Sequence, residues 1–362
     1  MPLIDFTDKG LYCSAGNFYI DPWKPVDKAV ITHGHSDHAH AGSKHYLCHH
    51  FTRPVLQLRL GDNDYQSVGW NEPLQINGVS VTLYPAGHII GSSQVRVEHK
   101  GEVWVVSGDY KVEDDGISGA FEPVRCHTFI TESTFGLPVY NWKPQEQIYA
   151  SIREWIRDNH AAGKTSVLIA YSLGKAQRVL QAVKDIADRV FAHGAVYNMQ
   201  QTLINAGIIP AGMLPGLVRV TPDLPKEEYK GQVVIAPPSA DGSSWMRRFA
   251  PSATGICSGW MQVRGNQRRR NADAGFALSD HCDWKALLQA VEATGAQKVL
   301  VTHGFQSAFS RYLNEAGIEA GEVKTEYGND EEETTPETET PAPAGHLPGQ
   351  GNETIPPPAI LP

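Results

Sequence analysis

Apolar and polar positions along residues 10–130 fall mainly into short runs: NFYI, KAVIT, VSVTLYPA, SQVRVEH, EVWVVSG and TFITES. Such runs mark strands, and INGV and HKGE between them carry the turn residues that reverse a chain. This part of the pattern predicts a mainly antiparallel sheet with helices packed outside. From residue 143 the texture changes. PQEQIYASIREWIRDNHAAG has helical spacing and closes on Gly163; TSVLIAY reads as a buried strand and GKAQRVLQAVKDIADRV as a second amphipathic helix. GQVVIAPPS and TGICSGW continue the alternation, which predicts a parallel β/α unit inserted into the first fold. GFALSDHCDWKALLQAVEATGAQKVLVTHG then returns to the first domain. The expected division is 1–142 for the first part of the main domain, 143–268 for the insertion, 269–328 for the return and 329–362 for a tail.

Composition changes this picture in three places. The chain has 362 residues, 41% of them hydrophobic, enough for one large core or two medium ones. The net charge of −9 is concentrated in residues 329–362, which hold seven acids, eight prolines and no Lys or Arg. The remainder has 31 basic against 33 acidic residues, a net of −2. A segment of the tail's composition cannot bury a core and is expected to be disordered and solvated; the alternative is an acidic mimic competing with nucleic acid for a basic groove. No apolar run reaches the length of a membrane span, and MPLIDFTDKGLYC lacks a basic region followed by an apolar core, so a cytoplasmic protein without a membrane anchor is expected. Five scattered cysteines with no Cys-x-x-Cys pair fit reduced thiols, Cys282 among them as a packing residue.

The candidate chemistry begins at ITHGHSDHAH, residues 31–40. His33 and His35 alternate, so both rings project to one side of an extended backbone, and Asp37 and His38 follow within reach. Imidazole nitrogens with a carboxylate suit Zn²⁺ or Mn²⁺. The spacing fits the start of a two-metal site, one ion on His33 and His35 and a second on Asp37 and His38. Further candidates sit at strand ends: His88, Asp109, Glu132, His281 and His303. Strand ends on one edge of a sheet are where distant side chains converge. His40, His45, His49 and His50 follow no such pattern and read as surface or supporting groups.

The order His-x-His-x-Asp-His, then Gly-His, then Gly-Asp resembles the metallo-β-lactamase superfamily. TES, SDH and THG, with AYSLGKAQ in the insertion, resemble the extra motifs of its nucleic-acid-processing β-CASP branch; the likeness covers residue 11 to about residue 312. Within that branch GLYC followed by YIDP is most similar to the bacterial DNA ligase-associated exonucleases, also described as mRNA 3'-end processing factor-like. The resemblance implies an αββα sandwich with an inserted α/β domain. It implies that His33, His35 and His88 hold one divalent ion, Asp37, His38 and His303 a second, and that Asp109 bridges them. Asp21 would orient a ligand, and Glu132 and His281 would face the metals from the insertion side. RNA-cleaving members such as ribonuclease J carry a histidine where His303 stands and animal DNA repair members such as Artemis lack it. The ligase-associated group also has it, so both substrates stay open.

Two cations about 3.5–4 Å apart activate water and neutralise the charge growing on a phosphoryl oxygen. A phosphodiester also needs a proton on its leaving oxygen, which His281 could supply with Glu132 aiming the imidazole. Ser172, Gly174 and Lys175 at a helix N-terminus are expected to hold a phosphate, with Ser279 assisting beside His281. The stretch is not a P-loop, since Ala176 stands where a Ser or Thr should hold magnesium. Arg247, Arg248, Arg264, Arg268, Arg269 and Arg270, with Trp245 and Trp260 near them, read either as a groove tracking a nucleic-acid backbone or as a solvated surface. The expected function is a two-metal DNA exonuclease acting in repair alongside a ligase and helicase; Asp37, Glu132 and His281 are its candidate catalytic residues. The alternatives are a ribonuclease, a small-molecule metallohydrolase and a non-enzymatic binding subunit. Deleting residues 329–362 is expected to leave the melting temperature and metal content unchanged; a markedly lower melting temperature would show that the tail packs on the body.

Overall fold

The structure, a computed structural model, describes residues 2–187, 189–263 and 272–326. The tail and the run containing Arg264, Arg268, Arg269 and Arg270 lie outside the described residues. Strands β1 (Asp5–Thr7), β2 (Gly10–Cys13), β3 (Phe18–Ile20), β4 (Lys28–Val30), β5 (His45–His49) and β6 (Asp64–Val68) form a first sheet in chain order. Helix α1 (Thr52–Leu60) joins β5 to β6. A second sheet is built from β7 (Leu74–Ile76), β8 (Val79–Pro85), β9 (Ser93–His99), β10 (Glu102–Val106) and β11 (Thr128–Ser133).

The inserted unit opens with α2 (Gln145–Ala161), β12 (Thr165–Ile169), α3 (Lys175–Val183), β13 (Arg189–Ala192) and α4 (Gly194–Asn205). It continues with β14 (Gly216–Arg219), β15 (Val233–Ala236), β16 (Ser252–Cys257) and β17 (Ala274–Phe276). Its six strands are all parallel, in the order β14-β13-β15-β12-β16-β17. The chain then supplies α5 (Trp284–Thr294), β18 (Lys298–Gly304), α6 (Gln306–Glu315) and β19 (Glu319–Glu322). β18 pairs in parallel with β11 and β19 with β18, extending the second sheet.

The first and second sheets share one core. Leu11, Phe18, Ile20 and Leu47 from the first meet Val81, Val95, Val97 and Ile130 from the second. On the other face of the second sheet, Leu287 and Val291 of α5 and Phe309 and Leu313 of α6 pack against Val105, Phe129 and Val299. Leu56 of α1 packs with Ile31, Tyr46 and Tyr65 of the first sheet's segment. Together these make a mixed α/β fold.

The structure differs from the sequence expectation in three respects. The main sheets are mixed, not mainly antiparallel: β3 to β6 run parallel, as do β10, β11, β18 and β19. Parallel neighbours need crossover connections, and the histidine-rich segment 31–44, α1 and the whole insertion serve as those crossovers. The second amphipathic helix stops at Val183 instead of running to Val190, because Val190, Phe191 and Ala192 form a fully buried strand. The insertion keeps β17, whose pairing to β16 carries it through Phe276, past the expected boundary at 268.

One buried ion pair ties the insertion to the main domain. The Arg178 guanidinium of α3 stands 3.0 Å from Asp115, both side chains at most 1% exposed, and Arg178 also donates to the His88 carbonyl at 3.2 Å. Removing one member of such a pair leaves an uncompensated buried charge. Arg178→Met is therefore expected to cost about 3–5 kcal/mol in urea unfolding. A loss below about 1 kcal/mol would mean that water or another cation reaches Asp115.

Candidate metal centre

The loops leaving β4, β8 and β10 and the end of β18 bring five histidines around one carboxylate. Asp109 Oδ2 lies 3.4 Å from His33 Nε2, 3.5 Å from His38 Nε2 and 3.7 Å from His88 Nε2. Its Oδ1 lies 3.1 Å from His303 Nε2. His35 completes one side through its Nδ1, 3.0 Å from His88 Nε2. Two of the donor groups within reach of a shared ion meet at Asp109: His33, His35, His88 and Asp109, and His38, Asp109 and His303; Asp109 with Glu132 and His281, His88 with Asp280 and His281, and Asp21 with His33 and His38 form further groups of this kind. Gly108 makes the approach possible. It adopts φ +56°, and a Cβ there would sit 2.7 Å from the Thr32 side chain, beside the root of His33.

Each histidine gives its second ring nitrogen to an acceptor outside the cluster. His35 Nε2 donates to the Leu173 carbonyl at 3.3 Å, and His88 Nδ1 to the Asp280 carbonyl at 2.8 Å. His38 Nδ1 donates to Asp21 Oδ2 at 2.8 Å. Thr32 Oγ1 donates to Asp21 and so accepts from His33 Nδ1 at 3.0 Å. Thr302 Oγ1 donates to the Thr131 carbonyl and accepts from His303 Nδ1 at 3.4 Å. Outer hydrogen bonds of this kind select the tautomer and turn the remaining lone pair inward. His33 Nε2 is fully buried without hydrogen-bonding geometry to any described residue, and its nearest carboxylate oxygen is that of Asp109. Imidazole-rich sets joined by a carboxylate suit divalent transition-metal ions.

Asp21, expected to orient a ligand, holds both His38 and the Thr32 amide, the latter at 2.7 Å, from a backbone with φ +42°. Asp37 departs from its expected place. Its Oδ2 lies 3.6 Å from His38 Nε2 on the more exposed side, and it joins neither set of clustered donors. Glu132 and His281 do meet: Nδ1 of His281 lies 3.0 Å from both carboxylate oxygens. Glu132 is in β11 of the second sheet, and only the His281 segment leaves the inserted sheet. Glu132 is further fixed by amides of Tyr110 and Thr134 at 2.9 and 3.3 Å.

Of the expected phosphate contacts, Lys175 and Ser279 are buried and Ser172 is half-buried. Lys175 is 3% exposed and its Nζ lies 2.6 Å from Asp280. Ser279 Oγ accepts the His281 amide at 3.1 Å and closes a local turn, and the Ser172 carbonyl accepts from Gln177. Trp260 packs with Phe135, Tyr140 and Phe305, and Trp245 with Phe249. Arg247 stays exposed. Sequence reasoning missed Asp280, Thr32 and the Leu173 carbonyl. Asp280 was detectable as an acid beside His281, whereas a main-chain carbonyl leaves no residue signal.

No protein-family model matches the chain. Over 317 residues, 86% of its length, it is 33% identical to a protein of Opitutus terrae named "Probable DNA ligase", of which the match covers 30%. It is 26% identical over 177 residues to RNase aCSPSF2 of Saccharolobus solfataricus, covering 48% of this chain and 34% of that one. The chain belongs to the β-CASP branch of the metallo-β-lactamase superfamily. It spans about a third of the length of these curated relatives, at 30% and 34%. A crystal structure of a protein of unknown function from Enterococcus faecalis V583 matches it with a TM-score of 0.57 at 12% identity, covering 83% of this chain and 80% of that one, a likeness of fold. Nucleases of this superfamily use divalent metals, and the chain has buried His/Asp clusters that could hold them.

The charges divide the two sets. Burial, helped by His38, lowers His33 to about 4, and burial with His281 holds His88 well below the ordinary range, so both rings are neutral. Burial also acts on His38 and His303, but Asp109 outweighs it and raises both. Burial would raise Asp109, yet His38 and His303 hold it ionised. A metal ion takes neutral imidazole, so occupying the His38–His303 side must displace protons while the His33–His88 side need not. Apparent affinity should therefore rise with pH, with about two protons released per chain in weakly buffered titration at neutral pH. Affinity that is flat from about pH 6 to about pH 8 would contradict this charge arrangement.

Proposed function

We propose that this chain is a two-metal-dependent nuclease, binding zinc or manganese and hydrolysing phosphodiester bonds of DNA from an end. The two sheets and their outer helices are taken as the branch's αββα sandwich, with residues 143–276 as the inserted domain. His33, His35, His88 and Asp109 would hold one ion and His38, Asp109 and His303 the other, with Asp37 at the margin of the second. When bound, the ions supply Lewis-acid stabilisation of charge on the phosphoryl oxygens.

The observation that carries the reading is the Glu132–His281 pair beside this cluster. Glu132 takes the Nδ1 proton's hydrogen bond, which leaves Nε2 as the atom that delivers a proton. His281 packs against His88 with ring centroids 4.5 Å apart, so delivery occurs next to the ion site. The alkoxide leaving a phosphodiester must be protonated, whereas the thiolate leaving a thioester need not be. DNA is favoured because the 33% identical relative is named for ligating DNA, and the matched stretch occupies 30% of it. The reading includes a repair role beside a ligase and helicase, in the cytoplasm. Among the described residues no helix is long and apolar enough to cross a membrane. The second reading, a ribonuclease, is favoured by RNase aCSPSF2.

Labelled single-stranded DNA and RNA of one sequence, each with Mn²⁺ or Zn²⁺, separate the two. Degradation of DNA from an end supports the first reading and cleavage of RNA alone the second; cleavage of neither ends both. Asp109→Ala is expected to abolish metal binding and cleavage together. His281→Ala should lose about 10²–10⁴ in rate while keeping its metals, and the loss should shrink on a nitrophenyl phosphodiester, whose leaving group needs no proton. Equal losses on both substrates would refute the acid role.

A further inference from the structure

Both histidines that complete the first donor set are steered from the insertion side. His35 donates to the Leu173 carbonyl, in the turn that opens α3, and His88 to the Asp280 carbonyl, between β17 and α5. These two main-chain segments are joined by the ion pair between Lys175 Nζ and Asp280 Oδ1, at 2.6 Å, with the side chains 4% and 0% exposed. The seam is closely packed. A Cβ on Gly174 would meet Asp280 Oδ2 at 3.0 Å and Ile89, the neighbour of His88, at 2.4 Å. The outer acceptors of the second donor set, Asp21 and Thr302, both belong to the main domain.

We propose that Lys175 and Asp280 are positioning residues for one of the two metal sites, joining the inserted domain to His35 and His88. Lys175 compensates the Asp280 carboxylate and keeps it buried. With the carboxylate in place, the same residue's carbonyl holds the His88 Nδ1–H tautomer. Without Lys175 the charge must reach water, and the carbonyl moves with it. This role rests on the assignment of His33, His35, His88 and Asp109 as one metal site and is independent of the nucleic acid cleaved.

Cobalt titration of the full chain, followed by its visible absorption and by metal analysis against a competing chelator, tests it. In Lys175→Met one ion should bind about 10–100-fold more weakly and the other as in the unaltered protein. Lys175→Arg should retain both. The double variant Lys175→Met, Asp280→Asn removes the stranded charge, so it should regain both the melting temperature and most of the affinity of the weakened site. Equal weakening of both ions, or wild-type affinity for both in Lys175→Met, would overturn the proposal. So would a salt dependence of oligonucleotide binding shallower by about one unit with both ions retained, since that is the signature of a phosphate contact. Failure of the unaltered chain to cut DNA or RNA would count against the nuclease reading alone, because the cobalt titration does not depend on cleavage.

Discussion

The site depends on a carboxylate that has almost no water. Asp109 is 2% exposed, and its two oxygens face four histidine nitrogens. Burying an isolated carboxylate is expensive, and crowding imidazoles is unfavourable once they are protonated. Each offsets the other here. Asp109 raises His38 and His303, and those two keep it ionised. The carboxylate and the two raised imidazoles stabilise one another, and together they hold donors an ion would need.

Convergence on Asp109 requires each ring to be aimed, and the aiming groups come from every part of the fold. Asp21 from the first sheet's loops orients His38, Thr302 of β18 orients His303, and the Leu173 and Asp280 carbonyls orient His35 and His88. The insertion is therefore not an appendage resting on a finished site. Arg178 reaches the His88 carbonyl and Lys175 reaches Asp280, both from α3. Bound metal would lengthen the time these elements stay together, because binding free energy is shared with the folding of whatever positions the ligands.

How much of this was legible in the sequence varied with the kind of interaction. His33, His35, His38, His88, Asp109 and His303 were readable because side chains carry the chemistry and strand ends place it. Glu132 and His281 were readable as a pair, although not from which sheet each would come. The parallel pairings of β4, β5 and β6 were not, since a buried strand looks alike whichever way its neighbour runs. Lys175 was misread for a physical reason. A lysine at a helix N-terminus in a glycine turn is what a phosphate anchor looks like, and only the fold brings Asp280, 105 positions on, into contact.

The inward cations bear on how such a site would hold a polyanion. Lys175 and Arg178 neutralise Asp280 and Asp115, so neither adds to the field outside, and the chain without its tail is close to neutral at −2. Each phosphate neutralised by an exposed cation contributes about one unit to the salt dependence of binding. On the nuclease reading, phosphate contacts are left to exposed cations such as Arg157, Lys164 and Arg247. Each contact made by one of these would steepen the salt dependence, whereas Lys175 and Arg178 act on the strand only through the side chains they position.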